Sequence, residues 1–359
     1  MEVILISPKG NPTVQLLYFR EHALTNFGDD LNAWMWSELL PGMWDPADDV
    51  WLCGIGTILN KEMMPPGRKW IVAGSGVGYG LPPEDFGGPS WRILAVRGPL
   101  TAKVLGIDSG FAVTDGAILL SALPEYAPLP ESERHGIVFM PHYQSLPAGN
   151  WQESCEAAGF EFLDPREDSK SIVRRIRSAK FVLADAMHAA IVADTVRVPW
   201  IPLVTSPNIN TFKWLDWTLS MGAEYHPTKL APSTSLEVWR NKTNYLYGES
   251  FFLEDQTVDA ALADFEVKRR ERSKPGAKRR MLFNRRAFNS VPLKLYKSPV
   301  LAGLRSRDRR VWSARAAESL IQASKGTQFL SPDQSFSARK QQMLDRLSQI
   351  PAHIASLNA

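Results

Sequence analysis

Residues 181–203 read FVLADAMHAAIVADTVRVPWIPL, and the one histidine, His188, falls where an apolar strand gives way to a helix. An imidazole there can move a proton near neutral pH, or it can simply cap a backbone group at an element boundary. His142 closes the strand-like run HGIVFMPH in the same manner. Arg97 ends RILAVR just before Gly98 and Pro99. A planar guanidinium in that place can clamp a phosphate or carboxylate through two parallel hydrogen bonds, or it can form an ion pair between domains. Near the start, TNFGDDLN sets Asn26, Gly28, Asp29 and Asp30 at the opening of a helix, where free N–H groups and a carboxylate can meet a sugar hydroxyl. One of the two acids is accounted for as an N-cap; the second is not.

Other chemistries are argued against by what is missing. AGSGVGYG, with Gly74, Ser75 and Gly76, follows a strand, but LPPEDFGGPS comes next and cannot open a helix onto a pyrophosphate. The dinucleotide reading therefore fails, leaving close backbone approach to a ligand or plain turn geometry. No GxxxxGK[ST] loop and no DxD pair is found, and Cys53 and Cys155 have no metal-ligand spacing, so no metal site is expected.

The elements that must position these groups follow from hydrophobic periodicity. With 359 residues, 44% of them hydrophobic and 22% charged, the chain has material for two globular domains. EVILI, DVWLCGIGTIL, KWIVAGSGVG and RILAVR read as strands, DDLNAWMWSELL as a helix, and RGPLTAKVLG as a turn and helix ending at Gly106. The Pro-rich 123–134 reads as a linker. From HGIVFMPH onward, strands and helices alternate: helix WQESCEAAG, strand FEFLD, helix SKSIVRRIRSA, strand FVLAD, helix 188–196, strand WIPLV. Such alternation predicts an α/β protein with two Rossmann-like domains, 1–122 and 135–265, facing a cleft whose ligands lie at strand carboxyl ends.

Charge is distributed unevenly. Residues 268–310 hold sixteen Lys/Arg against two acids, which makes the rest of the chain acidic although the total is only +3. This basic stretch opens a C-terminal arm and helical tail, 266–359. It interleaves Leu282, Phe283, Phe288, Leu293, Leu295, Tyr296 and Leu301 with its cations, which suits docking on the anionic inner face of a membrane. A solvated tail and an arm folded back onto the acidic first domain fit the same composition. MEVILISPKG has no basic n-region or cleavage site, and no apolar run approaches the ~20 residues of a span, so a cytoplasmic protein is expected, peripheral on the inner membrane face through the arm.

Taken in order, NFGDDLN, GIGTIL, VAGSGVG, AVRGPLTAKVLG, VTDGAILL, SAKFVLADAMHAAIVADTVRVPWIPL and NTFKWLDW resemble the polysaccharide pyruvyl transferases over roughly residues 20–225, including members that pyruvylate succinoglycan-type exopolysaccharide. Ala186 and Ala189 stand where that family usually has the arginine and glycine of Arg-x-His-Gly, so another cation must replace the arginine's donor contacts. The resemblance implies a GT-B-like fold and transfer of pyruvate from phosphoenolpyruvate to a sugar as a ketal, with no cofactor. It implies His188 as general acid/base and Asp29 as the group that orients or deprotonates an acceptor hydroxyl. Donor contacts fall to Arg97, His142, Lys213, Gly74, Ser75 and Gly76, and acceptor contacts to Asn26, Asp30 and Trp214. The partners are then phosphoenolpyruvate and an oligosaccharide or lipid-linked sugar. Two competing readings are a nucleotide-sugar glycosyltransferase of the same architecture and a nucleic-acid binder using the arm; the acidic body speaks against the latter.

Overall fold

The computed structural model describes residues 13–19, 26–45 and 48–358. The EVILI strand expected at the start lies outside the described residues. Strands β1 (Gln15–Leu16), β2 (Val50–Cys53), β3 (Lys69–Ala73) and β4 (Trp91–Ala95) form one parallel sheet in sequential order. Apart from the edge strand β1, their composition is near-continuously apolar, as a sheet covered on both faces requires. Helices α1 (Phe27–Asp30) and α2 (Asn32–Leu39) follow β1, and α3 (Pro99–Leu105) follows β4. Pro99 opens α3 at the position that needs no N–H donor, and Gly106 ends it in the left-handed conformation. Between β2 and β4 the chain runs without an α-helix, because 54–68 and 74–90 are interrupted by glycine and proline.

A second parallel sheet has the order β6-β5-β7-β8-β9, built from β5 (Ile137–Met140), β6 (Glu161–Phe162), β7 (Phe181–Ala184), β8 (Trp200–Val204) and β9 (Thr228–Lys229). Here the expected alternation is complete, with α4 (Trp151–Ala158), α5 (Ser169–Ser178), α6 (Met187–Thr195) and α7 (Thr211–Met221) between strands. Renumbered from β5, the order is 2-1-3-4-5, that of a doubly wound sheet. Its winding reverses between β5 and β7, and the crevice outside their carboxyl ends is where such sheets take ligands.

The remaining helices are α8 (Ser235–Thr243), α9 (Val258–Ser273), α10 (Ala277–Arg285), α11 (Val291–Tyr296), α12 (Ala302–Ala323), α13 (Asp333–Leu347) and α14 (Ile350–Asn358). The basic stretch is thus a run of packed helices. Helix α12 covers one face of the second sheet together with α4, where Ala316, Leu320 and Ala323 meet Phe139, Trp151 and Leu183. Then α13 and α14 return to the first half, packing on β3 and β4 and burying Met343, Leu347, Ile350 and Ile354. One apolar cluster therefore runs through both halves, from Val14 to Leu357. Residues 123–134 are tied down as well, since Tyr126 is fully buried with its ring 5.4 Å from Trp34.

Candidate functional site

A cavity of about 860 Å³ opens between the halves, lined from the first by Asn26, Asp29, Thr57, Asn60 and Tyr79 and from the second by His142, Asp185, His188, Asn210 and Lys213. His142 follows the end of β5, and His188 stands in the first turn of α6, just after β7. Both sit at the reversal point of the second sheet. Asp185, the first residue after β7, accepts from the backbone N–H of His142 (2.6 Å), from the N–H of Thr205 (2.9 Å) and from the hydroxyl of Thr205 (2.7 Å). A buried carboxylate thereby ties together the ends of β5, β7 and β8.

Across the gap, the ring of His188 lies over Gly28 of α1, so closely that a Cβ on Gly28 would stand 2.0 Å from Nδ1. Its Nε2 is buried without a hydrogen-bond partner and faces the equally unpartnered Oδ2 of Asp115 at 3.9 Å. That gap exceeds a hydrogen bond. Burial, then the positive charges of Lys213 and Arg97, hold the His188 imidazole down at about 3, so it is neutral and forms no ion pair in the free site. His142 is likewise held at about 3 by burial, Lys213 and Arg240.

The acids shift in the opposite direction. Burial raises Asp29 from 3.8 to about 7 against the opposing pull of Lys213 and the hydrogen bond from Asn26 Nδ2 to Oδ2 (2.7 Å). Burial also lifts Asp115 and Asp185 to about 6. Asp115 Oδ1 is occupied as the cap of the 3-10 turn Gly116–Ala122, accepting from Ala117 N–H at 3.0 Å, which leaves Oδ2 for His188. Carboxyls poised near neutral pH beside neutral imidazoles are the composition of a proton-transfer site.

Lys213 brings the charge. Asn210 caps α7 by accepting from the Lys213 N–H (3.3 Å) and donates to Gly78 O (3.0 Å), so the capping residue joins α7 to the glycine-rich turn of the other half. The Lys213 stem lies along Gly78, where a Cβ would approach it to 2.8 Å. Its ammonium stands 4.9 Å over the Tyr79 ring and 3.4 Å from the Tyr79 hydroxyl, and it has no carboxylate partner among the described residues. A cation aimed into a polar cavity without a counter-ion is suited to an anionic ligand.

Several expected contacts are placed elsewhere. Arg97 is fully buried beneath the site: Nε donates to Asp216 (2.9 Å), Nη1 to Thr57 Oγ1 (2.9 Å) and Nη2 to Val77 O (2.6 Å). Asp216 of α7 also accepts from Thr101 N–H and hydroxyl, so the pair joins the two halves, the alternative that the sequence left open. Gly76 is where the guanidinium packs, a Cβ there falling 2.5 Å from Cζ, and Gly74 lies 2.4 Å by the same measure from the Gly116 backbone. These glycines and Ser75, which is fully buried, do not line the cavity. Their spacing serves close backbone packing. Asp30 also lies off the cavity lining. Trp214 reaches the lining, but its ring is buried against Trp200, Trp217 and, stacked at 5.1 Å, Tyr225, which leaves little face for a sugar. Asp115 and Asp185 are not among the residues expected from the sequence, although Asp185 directly follows the apolar run FVLA and Asp115 follows AVT.

This chain is similar to the succinoglycan biosynthesis protein ExoV of Rhizobium meliloti (strain 1021), 35% identical over 324 residues that make up 90% of this chain and 95% of that protein. No family model matches the chain, and no solved structure does. Kinship at that identity over nearly the full length of both chains, together with the ordered run of motifs, shows that the chain belongs to the polysaccharide pyruvyl transferase family.

Proposed function

We propose that this protein transfers pyruvate from phosphoenolpyruvate to two hydroxyls of one sugar residue, forming a ketal during exopolysaccharide biosynthesis, with the two halves arranged in the GT-B manner. The observation that carries this reading is the Lys213 ammonium, without a carboxylate partner among the described residues, in a cavity shared by neutral imidazoles and proton-holding carboxyls. The relative's name, a succinoglycan biosynthesis protein, supports the polysaccharide setting.

The donor is a trianion, so its phosphate and carboxylate fall to Lys213 and His142, with Arg272 farther out on the cavity lining. Lys213 takes over the part of the arginine that Ala186 replaces. The negative charge brought by the donor offsets the repulsion that Lys213 exerts on His188 and raises the proton affinity of that imidazole. Protonated His188 then gives its proton to the methylene carbon, leaving a cationic centre on the carbon that bears the phosphate. One sugar hydroxyl adds to that carbon and loses its proton to ionised Asp29. Phosphate leaves, the second hydroxyl adds and is deprotonated, and the products are the carboxyethylidene ketal and hydrogen phosphate. One proton is taken up and two are released, so the phosphate retains one and the charges balance. A helix N-terminus at His188 and the Lys213 charge stabilise the departing anion.

Incubation with phosphoenolpyruvate and a panel of oligosaccharide and lipid-linked acceptors tests the reaction, with phosphate release and acceptor mass followed together. Equimolar phosphate and pyruvylated acceptor are expected. Turnover with a nucleotide sugar but none with phosphoenolpyruvate would overturn the reading in favour of a glycosyltransferase.

A further inference from the structure

The helices that carry the excess basic charge leave a mixed apolar and cationic face without a partner. From 272 to 307 the chain contains no aspartate or glutamate. Among the described residues, Arg279, Arg280, Arg286, Lys294, Lys297 and Arg307 make no ion pair with a carboxylate, and all except Arg307 are on or next to α10 and α11. Large apolar side chains stand among them in water: Phe283 is 70% exposed, Leu295 60%, Val300 91% and Leu304 69%. Scattered single exposures need no explanation, but four on consecutive elements, rimmed by unpaired cations, mark an interaction surface.

The packing decides among the fates open to such a stretch. A solvated tail is excluded, because α10 packs on α9 and on residues Asn244–Tyr247, α11 packs on α8, and α12 packs on α4. Return to the acidic first half accounts for little. Among the described residues, the ion pair to it from this stretch is Lys278 to Glu62, 3.6 Å long and exposed on both sides. The face is thus held by the second half. The same α10 that presents Phe283 to water also lines the cavity with Lys278, Met281, Leu282 and Arg285. The mouth of the site and the unpartnered face share one helix.

We propose that the face formed by α10, α11 and the start of α12 docks on an anionic lipid bilayer. Exposed apolar side chains enter the acyl boundary while the surrounding arginines and lysines meet lipid phosphates, the division of labour of an interfacial helix. Charge complementarity selects this occupant: 272–307 sets apolar side chains among cations with no acid between them, and an anionic leaflet offers phosphates beside an acyl layer that meets both. Docking stands apart from the reaction assigned above. Only its consequence, that the cavity mouth is brought to the surface where a lipid-linked sugar resides, rests on that reading.

Vesicle co-sedimentation with the full-length protein tests the proposal without turnover, so failure of the pyruvyl transfer would leave its outcome readable. Vesicles of phosphatidylcholine mixed with phosphatidylglycerol should pull down the protein, vesicles of phosphatidylcholine alone should not, and raised salt should release it. Phe283→Ser combined with Leu295→Ser should weaken partition on the order of tenfold, and Arg279→Gln, Arg280→Gln and Arg286→Gln together by about as much or more. Circular dichroism and melting of the variants should match the parent, since the substituted side chains are exposed. Equal sedimentation with both vesicle types, or variants that bind like the parent, would overturn the proposal. So would loss of binding in the charge variants alone with matching loss of RNA binding, which would make the face a general polyanion site. A parent dimer that the apolar variants convert to monomer, with vesicle binding intact, would assign the face to a second copy of the chain instead.

Discussion

At the scale of single residues, two titrating groups define what the site can do. Asp29 retains its proton in the folded free protein up to about pH 7, whereas the unfolded chain releases it near 3.8. The contribution of this carboxyl to stability is therefore full below 3.8 and is lost as pH rises to about 7. Asp29→Asn should remove that slope from the pH dependence of the melting temperature. If Asp29 is the base, kcat/KM for the parent should climb toward pH 7 and level off, and the variant should lose both most of the rate and the rising limb. A variant that retains the limb would transfer the role to another group. For His188, replacement by alanine should lower kcat by roughly 10²–10⁴-fold while melting stays close to the parent. Lys213→Met should instead raise the apparent KM for the donor more than that for the acceptor, since it removes a charge that only the donor needs. Steady-state kinetics with each substrate varied in turn separates the two.

At the scale of elements, the site depends on how closely α1 and α6 approach. Helix α1 is a single turn, and Gly28 within it is overlain by the His188 ring. The residue is glycine for lack of space, as any Cβ would enter the imidazole. Gly28→Ala should push α1 and His188 apart and cost activity at least tenfold, since small misplacements of catalytic groups are expensive, with a smaller proportional loss of stability. Restored activity in a double variant with a smaller side chain at His188 is not expected, because the imidazole itself is the reagent. Capping works toward the same end on α7, where Asn210 fixes both the helix start and, through Gly78, the opposite wall beside Lys213. Asp185 does this for the strand ends.

At the scale of the whole molecule, the contacts between the halves predict that they unfold together. Arg97 and Asp216 form a fully buried ion pair across the boundary, and the C-terminal helices recross it to cover β3 and β4. Arg97→Met strands the Asp216 carboxylate in the interior, so it should destabilise the fold by about 3–5 kcal/mol. Arg97→Lys should recover only part of this, because an ammonium cannot reach Asp216, Thr57 and Val77 from one planar group. Urea unfolding measures both, and a single transition reported alike by tryptophan fluorescence and circular dichroism is expected. A large rise in donor KM without loss of stability would instead return Arg97 to the role of a donor clamp.

The sequence alone determined most of the second half. Strands β5, β7 and β8 are continuous apolar runs of four or five residues separated by helical periodicity and turn residues, so they and the helix at His188 are legible to within about two residues. The residues at those strand ends, His142 and His188, were legible for the same reason, since parallel sheets expose their carboxyl ends. Less of the first half was readable: its glycine and proline content signals turns without saying how far they travel, and no helix forms between β2 and β4. Only the tertiary structure decided which way a side chain at a strand end faces. Arg97 turned inward to a carboxylate 119 residues away, while Lys213, expected at the cavity on weaker grounds, turned into it. The meeting of Asp115 with His188 was hidden likewise, because it depends on how the two halves are set together, which no local pattern encodes. The basic stretch was legible as a charge excess and not as a packed surface, since a charge count carries no information on what the apolar residues between the charges bury against.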